Sequence, residues 1–83
     1  MLNTQQVNHY KENGFVIPHF KIPEEILESI RSDYDKLLAL HPEFRDLCPS
    51  LLSYDMGFLD YARIPEIISM VSQVIGPDVI LWN

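Results

Sequence analysis

Val79-Ile80-Leu81-Trp82 is the feature that most restricts the fold. Four consecutive β-branched, aliphatic and aromatic side chains, introduced by the Gly76-Pro77-Asp78 turn, read as a strand apolar on both faces. A strand of that kind needs neighbours on each edge and layers on each side. Only one other segment of the chain reads as a strand: Phe15-Val16-Ile17, closed by Pro18. Two short strands are marginal alone. The chain has 83 residues and a single cysteine, Cys48, so no disulfide within it can compensate for a small core. The expectation is an α+β chain whose helices pack on the first strands of a larger sheet, cut as that sheet begins. The competing reading pairs the two strands with each other in a small α+β unit.

The helices are better marked. Thr4 is placed to cap a short helix through Gln5, Val7, Tyr10 and Lys11, stopped at Asn13-Gly14, where glycine accepts the left-handed conformation of a helix C-terminus. Ile22-Pro23-Glu24-Glu25 opens a second helix, with proline in the first turn and Glu24, Glu25 and Glu28 near the positive end of the dipole. Apolar residues recur at Ile26, Leu27, Ile30, Tyr34, Leu37 and Leu38, a stripe of 3.6-residue period. That helix is expected from Pro23 to about Leu40, ended by His41-Pro42. Residues 43–61 read as irregular, with turn signals at Cys48-Pro49, Asp55 and Gly57. The same stretch carries nine large apolar or aromatic side chains and a cysteine; it is read as cover over a core, with a substrate channel as the other use. Pro65-Glu66 opens a third helix, closed by Gly76-Pro77. From the stripes, Leu37 and Val71 are both expected in the core.

Charge narrows the partners. Six Lys and Arg against twelve Asp and Glu leave a formal net charge of −6, and no two basic residues are adjacent. Nucleic acid and anionic membrane surfaces both require a clustered basic face, so neither is expected as a partner. No apolar run approaches the roughly 20 residues of a membrane span. The first residues lack the basic and apolar regions of a secretory signal, which places the expected location in the cytoplasm.

The order of motifs resembles the phytanoyl-CoA dioxygenase-like family. The residues that carry the resemblance are Gln6, Tyr10, Asn13-Gly14-Phe15-Val16-Ile17-Pro18 and Phe20, the Ile22-Pro23-Glu24-Glu25-Ile26-Leu27 helix start, and the helix Pro65 to Ile75. Gly76-Pro77-Asp78 and Val79-Ile80-Leu81-Trp82-Asn83 complete the series. They cover nearly the whole chain but only the leading part of that family's domain. The resemblance implies an Fe(II)- and 2-oxoglutarate-dependent oxygenase hydroxylating a small organic substrate, built on a double-stranded β-helix (jelly-roll) that is incomplete here. It places Asn83 near the mouth of the family's active site. Such enzymes hold iron by two His and one carboxylate, in an H-x-D/E motif followed by a distant His.

This chain departs from that pattern. His41-Pro42-Glu43 matches H-x-E in letters, but it lies at a helix end and no histidine follows it. Arg63 falls in the wrong region to hold the 2-oxoglutarate carboxylate. His9 and His19 read as surface or hydrogen-bonded residues rather than ligands. Cys48 has no basic neighbour nearer than Arg45 and is expected to be buried and inert. Asp55 and Asp60 read as turn makers and caps rather than an acid–base pair. No residue is therefore assigned to catalysis, to cofactor binding or to a metal. Neither Fe(II) nor 2-oxoglutarate is expected to bind the 83 residues alone. The alternative function is a non-enzymatic module that pairs with a partner through an open strand edge.

Overall fold

A computed structural model of the chain describes residues 1–82; the expectation for Asn83 lies outside the described residues. Among the described residues four α-helices form: α1 (Thr4–Asn13), α2 (Glu24–Leu40), α3 (Phe58–Ala62) and α4 (Pro65–Ile75). Two 3₁₀ turns, Pro42–Arg45 and Leu51–Ser53, lie between α2 and α3. The α+β expectation is overturned: the described residues contain helix and loop but no strand, hence no sheet, no jelly-roll and no sheet edge. Residues 15–17 and 79–82 run without helix or ladder, and they do not pair with each other. The reason is physical. β-propensity describes how well a side chain fits a pleated, half-buried surface, and that surface is supplied by neighbouring strands. Without them, Ile17 stays 80% exposed, Ile80 81% and Trp82 90%.

The chain forms two compact units, Met1–Lys21 with Ala62–Trp82, and Ile22–Tyr61. In the first, α1 is capped by Asn3 rather than Thr4. The Asn3 carboxamide oxygen accepts the Gln6 N–H at 2.8 Å, and the Gln6 carboxamide oxygen accepts the Asn3 N–H at 2.9 Å. This reciprocal capping box satisfies two donors that the first helical turn leaves open. Gly14 ends α1 at φ 82°, in the left-handed region, and donates its N–H to the Tyr10 carbonyl. Ile64 precedes Pro65 at the start of α4 and is buried. Gln73 of α4 holds the first residues in place. Its carboxamide oxygen accepts the Leu2 N–H at 2.7 Å, and its nitrogen donates to the Leu2 carbonyl at 2.9 Å. Leu2 is buried, 6% exposed.

In the second unit, Pro23 stands as the N-cap of α2 with φ −54° and ψ 144°, and its carbonyl accepts from Ile26 and Leu27. The helix ends where proline forces it to: His41 leaves the helical region at φ −134°, ψ 72° while still donating its N–H to Leu37. The stretch expected to be irregular is tighter than that, with the two 3₁₀ turns and α3 following one another. Phe44, in the first 3₁₀ turn, is 6% exposed and Leu37 is 7%. Only part of this stretch covers anything: Leu47, Tyr54 and Met56 are exposed. Val71 of α4 is half-buried rather than core. Among the described residues the buried apolar set is Leu2, Leu37, Phe44 and Ile64.

Candidate functional site

Three arrangements of side chains invite a functional reading, each within one unit. The first closes the C-terminus of α2. The His41 ring stacks on Phe44 with centroids 4.6 Å apart and planes 12° from parallel. Tyr54 meets both rings edge-on, at 5.2 Å from His41 and 4.8 Å from Phe44. The His41 Nδ1 lies 3.3 Å from a Glu43 carboxylate oxygen. The H-x-E letters therefore describe a helix end seated on aromatic rings, with its two polar groups turned to each other. Iron does not fit these donors. A facial triad needs three ligands converging on one point, and among the described residues no three His, Cys, Asp or Glu side chains gather.

The second arrangement joins α3 to α2 through hydroxyls. The Tyr61 hydroxyl donates to the Asp33 carboxylate, and Ser29, one turn earlier on α2, has its Oγ 2.8 Å from the same phenolic oxygen. Because the Tyr61 proton is given to Asp33, Ser29 is left to donate to Tyr61. The bond to Asp33 is the main reason that the Tyr61 hydroxyl is held above the ordinary tyrosine pKa; the Ser29 bond works the other way. A phenol that keeps its proton and a serine that spends its own on the phenol form a clasp between α2 and α3. Sequence reasoning missed it. Ser29 and Asp33 are four apart, so they share a helix face, but nothing in the sequence indicates that Tyr61 reaches them.

The third arrangement is in the first unit. α1, residues 15–18 and α4 border an apolar groove of about 340 Å³, lined by Leu2, Tyr10, Phe15, Val16, Pro18 and the α4 residues Ile67, Met70, Val71 and Val74. This is where the expected core residue Val71 is found. Phe15 also lines a more polar recess of about 450 Å³ that includes Gln6, His9 and His19. His9 is occupied locally: its Nδ1 lies 3.3 Å from the Asn13 carboxamide nitrogen, which also donates to the His9 carbonyl at 3.1 Å. Its ring meets Phe15 edge-on at 5.1 Å.

The other singled-out residues fall as follows. Asp55 makes a turn, its carboxylate accepting the Gly57 N–H at 2.8 Å. Asp60 stands in the first turn of α3, where a carboxylate favours the helix dipole. Arg63 is exposed just before α4. Cys48 is exposed, which corrects the expectation of burial: it follows the first 3₁₀ turn, in a loop beside exposed Leu47. No helix among the described residues is long and apolar enough to cross a membrane. In comparisons with known proteins, no family model, curated protein or solved structure matches the chain.

Proposed function

We propose that these 83 residues are a non-catalytic helical portion of an Fe(II)- and 2-oxoglutarate-dependent oxygenase resembling the phytanoyl-CoA dioxygenases, acting on a small organic substrate in the cytoplasm. One observation supports this reading above the others. Phe15, Ile17, Ile80, Leu81 and Trp82 are among the exposed large apolar side chains of the first unit. These belong to two of the segments that carry the resemblance, 15–18 and 79–82. Apolar surface of this kind marks a place where more protein packs. In this reading the iron ligands and the 2-oxoglutarate arginine come from residues outside the described set, and α1 and α4 brace the domain that holds them. A single cysteine is in keeping with a reducing compartment.

The test has two arms. Source DNA is read downstream of the Asn83 codon, in all frames, for an H-x-D/E motif, a later His and an Arg. Finding them in order supports the proposal; a gene that closes with no such remnant overturns it. Separately, the purified 83-residue chain is incubated with Fe(II), 2-oxoglutarate and O2, and succinate is measured. No succinate above the protein-free control is expected. Turnover by this chain would refute its non-catalytic role.

A further inference from the structure

We draw no further inference here: the strongest candidate, the apolar groove of the first unit between α1, residues 15–18 and α4, is an open face for which nothing in the structure shows what covers it.

Discussion

Replacing Phe44 with alanine should cost the second unit most of its stability. Phe44 is 6% exposed, so nearly all of its surface is removed from water. A phenylalanine buries about 150–250 Å². At about 25 cal/mol per Å², that is worth about 4–6 kcal/mol, an upper bound because unfolded chains are partly collapsed. Alanine keeps a small part of it, which gives a loss of about 3 kcal/mol, at the low end for Phe→Ala in cores. The edge-on contact with Tyr54 adds about 0.5–1.5 kcal/mol to that loss. A chain of this length is stable by about 4–12 kcal/mol in total, so Phe44→Ala removes a large fraction. The assay is urea unfolding followed by far-UV circular dichroism, with hydrogen exchange at the His41 amide, which donates to Leu37. With an m-value of about 1 kcal/mol per M, the midpoint should fall by about 3.5–4.5 M, or the variant should be unfolded without urea. Phe44→Leu, which keeps most of the volume, should cost under about 2 kcal/mol. A Phe44→Ala midpoint within about 0.5 M of the parent would refute the placement of Phe44 at the centre of this unit.

Three further outcomes are expected. Leu37→Asp, which buries a charge without a partner, should abolish soluble expression or lower the melting temperature sharply; an unchanged melting temperature would remove Leu37 from the core. Tyr61→Phe should speed hydrogen exchange in α3 and should remove from the ultraviolet titration a tyrosine that ionises above the ordinary range. The sign follows from the raised folded pKa: the Tyr61 contribution is fully present below the unfolded value of about 10 and is lost as pH rises through the folded one. If Tyr61→Phe removes no late-ionising tyrosine, the clasp to Asp33 is wrong. Gln73→Leu removes both bonds to Leu2 and should cost about 1–3 kcal/mol, with faster exchange at the Leu2 amide; unchanged exchange there would contradict the clamp.

What could be read from the sequence was local. Pro65 and Gly76 bracket α4 at its observed ends, and Glu24–Leu40 differs from expectation only in that Pro23 caps the helix instead of beginning it. Gly14 adopts the left-handed conformation that its place after Asn13 suggested. Leu37, on the apolar stripe of α2, is buried. The misreadings arose where the outcome depends on distant partners. Residues 15–17 and 79–82 have the composition of strands, but strand formation is decided by neighbours that a propensity scale does not contain. Thr4 and Asn3 are both competent caps, and the choice fell to Asn3 because Gln6 stands three residues after it and closes the box. The expectation of a buried Cys48 rests on the lack of a basic neighbour nearer than Arg45, while its loop leaves it outside. The candidate arrangements were least legible. The stacking of His41 on Phe44 and Tyr54, and the reach of Tyr61 to Ser29 and Asp33, are set by how the 3₁₀ turns fold back on α2, which no short pattern encodes.

The Gln73 clamp on Leu2 also bears on the order in which the chain assembles. Its partners are separated by 71 positions, whereas Ile22–Tyr61 is one continuous stretch. Bringing distant residues together costs loop-closure entropy before any contact repays it. The continuous unit meets that cost over shorter loops, so α2 and the turn carrying Phe44 should gain protection early in refolding. The Leu2 amide should follow, because its partner is reached only after the intervening chain has condensed. The segment around Leu2 is, on this account, among the last to be fastened.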